Sequence, residues 1–317
     1  MITYILLLIA GFFFLIKGAD IFVDGASSTA QCFKVSKVLI GLTIVAFGTS
    51  APELAVSLNA LAHHSTDMVL GNVIGSNVTN TLLILGVAAV IHPIAIKNNT
   101  VKKELPITML ISTILAVLFL DIKLGNGVNN SITRGDAIVI LLFFTIFLYY
   151  LISLAKNKVD EDQKAKPKFN LFVSLLFVVL GLTGIVIGSD MVVNNATKIA
   201  EVLGLSERVI ALTIIAFGTS LPELVTTIVS SKKGEQDLLI GNIIGSNIFN
   251  ICIVLGIPIA IFGAVTSASF NIVDIIMLIT SSVALFIFAE TKRRITKAEG
   301  VLLLMTFAVY YTLVFVI

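Results

Sequence analysis

The chain repeats itself once, at a constant offset of 170 residues and without a gap. Leu42–Leu54, LTIVAFGTSAPEL, returns as LTIIAFGTSLPEL at Leu212–Leu224, differing only at positions 45 and 51. Gly71–Asn80, GNVIGSNVTN, returns as GNIIGSNIFN at Gly241–Asn250. Gly18 and Asp20 match Gly188 and Asp190, and Leu85 and Gly86 match Leu255 and Gly256, so the register holds over about seventy residues. Shared apolar composition does not produce such a match. It marks an internal duplication, and whatever the first half folds into, the second half must fold into as well.

The setting of the repeats is a membrane. The chain is 57% hydrophobic and only 13% charged, with mean hydropathy +1.06, whereas soluble domains carry about 25% charged residues. The apolar residues come in continuous runs and not in alternation, which argues against a β-barrel. Runs of spanning length, about 20 residues, fall at 2–28, 37–62, 68–92, 105–121, 134–154, 169–196, 207–231, 237–263, 271–289 and 299–317. The expected fold is therefore an all-α polytopic membrane protein with ten transmembrane helices. The first run has no basic segment before it and no small-residue cleavage site after it, so it reads as a helix of the mature protein rather than a signal peptide. The two cysteines, Cys32 and Cys252, read as packing residues.

A polar stretch at 155–168, AKNKVDEDQKAKPK, divides the chain into a first repeat, 1–154, and a second, 169–317. Five helices per repeat is an odd number, so the second copy enters the membrane inverted. The distribution of basic residues tests this, because Lys and Arg accumulate in cytoplasmic loops. With both termini outside, sixteen of the 21 basic residues fall in inside loops, and four, Lys123, Arg134, Lys198 and Arg208, fall outside. Lys17 lies within the first span. This pattern places the linker on the cytoplasmic side of a cell membrane. It points to the bilayer as the chain's environment and implies neither nucleic acid nor a protein partner.

The repeated motif puts polar chemistry where it is expensive. An ionisable residue in a membrane span marks an ion or substrate pathway by default. Pro52 has no amide hydrogen for the Gly48 carbonyl, so the second span should kink or open between Ala46 and Pro52 and leave carbonyl oxygens free. Thr49 and Glu53 lie four apart on one helix face, with Ser50 beside them. The seventh span offers the same set: Ala216, Thr219, Ser220, Pro222 and Glu223. Ser76 and Asn80 share a face of the third span, as Ser246 and Asn250 share one of the eighth. Gly71, Gly75, Gly241 and Gly245 are small enough to let helices approach closely. The set contains only oxygen ligands, which suits hard cations such as Ca²⁺ or Na⁺ and not soft metals. Two ionised glutamates carry −2, matched by one Ca²⁺ or by several Na⁺. Leaving such a pair empty in low dielectric is costly, which favours exchange over return of an empty carrier. Hydroxyl back-bonding competes with ligation at Thr49, Ser50, Thr219 and Ser220, and interhelical hydrogen bonding competes at Ser76, Asn80, Ser246 and Asn250. Asn77 and Asn247 read as packing groups. Asp20, Asp24, Asp190 and Lys17 read as pore-mouth or snorkelling residues, and Asp67, Asp237 and Asp274 as helix caps.

These two motif pairs and the ten-span layout resemble the cation/Ca²⁺ exchanger superfamily, in particular its Na⁺/Ca²⁺ exchanger branch. The resemblance covers nearly the whole chain. It implies that Glu53 and Glu223 are central carboxylates shared by Ca²⁺ and Na⁺. Thr49 and Thr219 would offer backbone carbonyls to Ca²⁺, and Ala46 and Ala216 carbonyls to flanking Na⁺. Ser50, Ser76, Ser220 and Ser246 would line those sites, with Asn80 and Asn250 at the centre. It implies sliding of helices 1 and 6 for alternating access, and electrogenic exchange of three Na⁺ for one Ca²⁺, with no cofactor. Potassium-dependent exchangers, and some prokaryotic members, carry aspartate where this chain has Asn250, so the resemblance is to the K⁺-independent branch. The linker is too short for the Ca²⁺-sensing domains of animal exchangers. A Ca²⁺/H⁺ antiporter is the alternative, and a cation channel a more distant one. An intramembrane hydrolase would need a nucleophile–base pair or an aspartate dyad, and neither is found. The topology predicts that a reporter inserted after Glu161 faces the cytoplasm and one fused to Ile317 faces outside. Both reporters on one side would contradict the odd helix count.

Overall fold

The computed structural model describes residues 1–120, 130–156, 166–204, 216–266 and 272–316. The chain is mostly helical. Among the described residues seven helices are long and apolar enough to cross a membrane, or eight if the bent pair Lys37–Thr49 and Ala51–Ala62 counts as one span. Of the other two expected spans, the fourth forms a helix of 15 residues, Leu105–Phe119, continued backwards by a π-helical turn, Thr100–Glu104. The seventh is described only from Ala216, since 205–215 lie outside the described residues.

The first helix, α1 (Ile2–Phe33), runs 32 residues and ends at Lys34, whose left-handed backbone returns its N–H to the carbonyls of Ala30 and Gln31. At 1.5 Å per residue it is about 48 Å long, well beyond the ~30 Å of a hydrocarbon core. Its counterpart Leu171–Val202 has the same length. The two pack along a glycine seam. A Cβ on Gly18 would lie 2.7 Å from the backbone nitrogen of Ile185, and one on Gly181 would lie 2.5 Å from that of Phe22. Small residues let membrane helices approach backbone to backbone, where dispersion replaces the missing hydrophobic force. The outer faces of this pair leave Ile2, Phe13, Phe172 and Val179 exposed, as lipid contact requires.

Two helical columns form the centre. One runs Thr66–Val78, a π turn Thr79–Ile84, then Leu85–Ile91. The other runs Gln236–Phe249, a π turn Asn250–Leu255, then Gly256–Phe262. The second column lies against the Lys37–Thr49 segment so closely that a Cβ on Gly241 would sit 2.6 Å from the Val38 carbonyl oxygen, and one on Gly245 2.7 Å from Ala46 Cβ. Gly75, expected to serve the same purpose, has nothing within 4 Å of its would-be Cβ. Short antiparallel strand pairs join the halves: Ile94–Ala95 with Arg294–Ile295, and Ser131–Ile132 with Val265–Thr266.

Outside the centre, the buried Glu104 and the half-buried Asp274 find tyrosines. Tyr150 donates to Glu104, and Tyr310 donates to Asp274 Oδ1 at 2.8 Å. Glu104 and Asp274 are themselves 170 residues apart. Asp67, Asp237 and Asp274 sit in the first turns of their helices and do not occupy the capping position itself. There they still complement the positive helix end. The seam makes a measurable claim. Gly181→Ala should lower unfolding free energy in detergent by about 1–3 kcal/mol through overpacking, while Gly75→Ala should cost nothing. Equal losses would contradict the close approach.

Candidate cation site

The two repeats break at the same residue in the same way. Ser50 has φ −88°, ψ 4° and Ser220 φ −87°, ψ 2°, and each is followed by a helix with proline in its first turn. Proline fits there because the first N–H groups of a helix have no internal partner. In the first repeat the axis bends by 44°. Both glutamates consequently fall in the first turn of the new helix, where the positive end of the helix dipole favours an anion. The break thus creates a seat for a carboxylate. The Ala46 carbonyl, expected to be free, accepts the Ser50 N–H at 3.0 Å. It also accepts the Thr49 hydroxyl at 3.5 Å. In the second repeat the Gly218 carbonyl, counterpart of the one Pro52 leaves open, accepts the Ser189 hydroxyl at 3.1 Å. Position 19, the counterpart of 189, is alanine and offers no such bond.

Of the twelve residues read from sequence, Ala46, Thr49, Ser50, Glu53, Ser76, Asn80, Ser220, Glu223, Ser246 and Asn250 are buried, and Thr219 is half-buried. Ala216 opens the short helix Ala216–Gly218. Several meet across the repeats. Ser50 Oγ donates to Glu223 Oε1 at 3.1 Å, and Thr49 Oγ1 lies 3.5 Å from Ser246 Oγ. Asn80 Nδ2 donates to Asn247 Oδ1 at 3.2 Å, and Asn247 Nδ2 donates to Thr81 Oγ1 at 2.9 Å. Thr49 also back-bonds to the Val45 carbonyl at 3.1 Å, the local bond expected to compete with ligation at its hydroxyl. Among the described residues no hydrogen bond joins the Ser76 or Ser220 side chain to the others.

Glu53 is fully buried, and neither of its carboxylate oxygens has a hydrogen-bond partner among the described residues. Glu223 Oε2, Asn80 Oδ1 and both polar atoms of Asn250 are likewise unpartnered. Native interiors hold few such groups, and each calls for an explanation, an ion being one. Oxygen atoms dominate this set. Among the described residues no group of three or more His, Cys, Asp and Glu converges, so a cation here would be held by two carboxylates together with hydroxyl, amide and carbonyl oxygens.

Two features escaped the sequence reading. Asn72 donates from Nδ2 to the Glu53 carbonyl and to Ser57 Oγ, both at 2.9 Å. Its counterpart Asn242 accepts from Thr49 Oγ1 at 3.1 Å. Both sit in the GN pair retained in each repeat, which was the available signal. The π turns beginning at Thr79 and Asn250 place a local widening next to Asn80 and Asn250, as π turns at functional sites commonly do.

Charges cluster at one end of the helical pair. Lys233 Nζ bridges Asp20 and Asp24, each at 2.7 Å, Lys168 reaches Asp24 at 2.7 Å, and Lys37 reaches Glu235 at 2.6 Å. The hydrogen bond to Asp24 holds the Lys168 ammonium above the usual lysine range. Asp20 and Asp24 are thus occupied by ion pairs.

The family model described as sodium/calcium exchanger protein matches residues 3–153 and 173–316. The chain is 32% identical to the sodium/calcium exchanger MaX1 of Methanosarcina acetivorans, covering 98% of both chains. It is 34% identical to the inner membrane protein YrbG of Escherichia coli, over 98% of this chain and 96% of that one. A structure of the sodium-calcium exchanger NCX_Mj soaked with Na⁺ and Ca²⁺ superposes with a TM-score of 0.84 at 30% identity, over 100% of this chain and 98% of that one. With both halves matched in sequence and the whole chain matched in fold, the protein belongs to the sodium/calcium exchanger protein family, a family of membrane transporters and not of enzymes.

Proposed function

We propose that the protein is a secondary active antiporter that exchanges Na⁺ for Ca²⁺ across the membrane by alternating access. The observation that carries this reading is the buried Glu53 carboxylate, whose two oxygens have no hydrogen-bond partner among the described residues, near a Ser50 hydroxyl that reaches Glu223 of the other repeat. A fully buried unpaired carboxylate is strongly disfavoured, and a hard cation relieves it. The soaks of NCX_Mj with Na⁺ and Ca²⁺ and the name of MaX1 support the choice of ions.

In this reading Glu53 and Glu223 are the charged ligands. Thr49 and Thr219, Ala46 and Ala216 contribute carbonyls, and Ser50, Ser76, Ser220, Ser246, Asn80 and Asn250 contribute side-chain oxygens. Ten spans in two inverted five-helix repeats put the site at the membrane midplane, where the repeats meet. Neutralising the two carboxylates takes one Ca²⁺ or several Na⁺, so the carrier crosses between faces only when loaded. The long helices Ile2–Phe33 and Leu171–Val202 slide as a pair over the central columns. Exchange of three Na⁺ for one Ca²⁺ moves one net charge per cycle and is electrogenic. Asn250, neutral where K⁺-dependent relatives are acidic, makes the exchange K⁺-independent. The protein resides in the cell membrane with both termini outside.

Vesicles loaded with Na⁺ should accumulate ⁴⁵Ca²⁺ when diluted into Na⁺-free medium, and uptake should collapse when the Na⁺ gradient is dissipated. Uptake that follows a pH gradient alone would make the coupling ion a proton. Glu53→Gln and Glu223→Gln should each abolish exchange in folded protein, and wild-type transport by either would refute the site. Asn250→Asp should introduce sensitivity to K⁺ or to protons in the same assay, because it adds a third ionisable group among the ligands.

A further inference from the structure

Two hydrogen-bond clusters in the polar interior are made at one set of positions and unmade at the positions 170 residues away. In the first repeat Asn72 Nδ2 binds the Glu53 carbonyl and Ser57 Oγ, each at 2.9 Å. The 170-residue offset converts this trio into Asn242, Glu223 and Thr227, with the same amide, carbonyl and hydroxyl chemistry. There the cluster is open. Asn242 Nδ2 and Thr227 Oγ1 are both buried without a hydrogen-bond partner among the described residues, while Asn242 Oδ1 takes the Thr49 hydroxyl. The second cluster behaves alike. Asn80 Nδ2 donates to Asn247 Oδ1, whereas the counterpart atoms, Asn250 Nδ2 and Asn77 Oδ1, are both unpartnered.

Buried polar atoms without partners are costly and rare. In both clusters the unpartnered atoms are the donor and acceptor of one missing bond, and the repeat supplies a made copy of that bond as a template. Chance errors of packing do not select matching pairs in this way. Two conformations that exchange between the halves would.

We propose that Asn72 and Asn242 are positioning residues that act as alternating clamps. One fastens the backbone of its own repeat's glutamate while the other is released to Thr49 or its equivalent, and the two exchange roles as the carrier turns over. This rests on the antiport reading, in which the two end states of an inverted-repeat carrier arise when the repeats exchange conformations. The clamp fixes the first turn of the helix that carries the glutamate, and so sets where the carboxylate points in each state. In the conformation described here the first-repeat clamp is closed and the second is open.

The clamp hydroxyls provide the test, because neither Ser57 nor Thr227 is an ion ligand in this reading. Apparent affinity scales with the fraction of carrier facing the ion. The ratio of half-saturating Ca²⁺ in right-side-out and inside-out vesicles therefore reports the conformational balance. One neutral hydrogen bond moves such a balance by about two- to tenfold. Ser57→Ala weakens the clamp closed here, and Thr227→Val weakens the one that closes in the opposite state. The two variants should shift the ratio by that amount in opposite directions, and the double variant should return toward wild type. Shifts in the same direction, or lowered thermal stability with the ratio unchanged, would overturn the clamps. Should Ser57→Ala not fold, Thr227→Val decides alone. Its hydroxyl has no partner here, so folding is spared, and an unmoved ratio overturns the proposal. Wild-type vesicles without Na⁺-driven uptake would overturn the antiport reading itself, whereas active wild type with unmoved variants overturns only the clamps.

Discussion

Everything in this molecule depends on a polar group having to find a partner where water is scarce. In an apolar interior a helix satisfies its own backbone, so an interruption must be compensated by neighbours. Proline at 52 and 222 makes such an interruption twice. Each break turns Ser50 or Ser220 out of helical geometry and starts a new helix one residue later. That new start gives Glu53 and Glu223 the positive end of a helix at depth. The surrounding fold answers the break with specific groups: Ser189 for the Gly218 carbonyl, Asn72 for the Glu53 carbonyl, and Ser50 for Glu223. Among the described residues the Glu53 carboxylate oxygens are left without a partner.

The breaks and the Ser–Asn faces were legible in the sequence because their causes are local. A missing N–H at position 52 and a four-residue spacing between Ser76 and Asn80 need no tertiary information. Helix ends were less legible. The runs predicted to end at 28 and 196 continue to Phe33 and Val202, because hydropathy marks where lipid contact stops and not where hydrogen bonding stops. Asn72 was missed for a different reason. Its role exists only against the Glu53 carbonyl, nineteen residues away on another helix, and an asparagine in an apolar run gives no hint of which bond it makes. The π turns at Thr79–Ile84 and Asn250–Leu255 carry no periodic signature at all.

The duplication also makes departures from symmetry informative. Offset positions share sequence, so a difference in bonding is a difference of state or of a single substitution. Ser189 against Ala19 is a substitution, and it binds the outer helix Leu171–Val202 to the second break in a way the first break lacks. Asn72 against Asn242 is a difference of state, since the chemistry is the same on both sides. The glycine seam between the two long helices has most of its close contacts with backbone atoms, which holds the pair together.

The central claim is that the two buried glutamates share a transported cation. Crystals of the protein soaked in Sr²⁺ or Ca²⁺ at low Na⁺ test it most directly. A divalent peak ringed by carboxylate oxygens of both Glu53 and Glu223, fading as Na⁺ is raised, is the predicted result. Divalent density bound elsewhere, or a peak between the glutamates that Na⁺ never displaces, would contradict it.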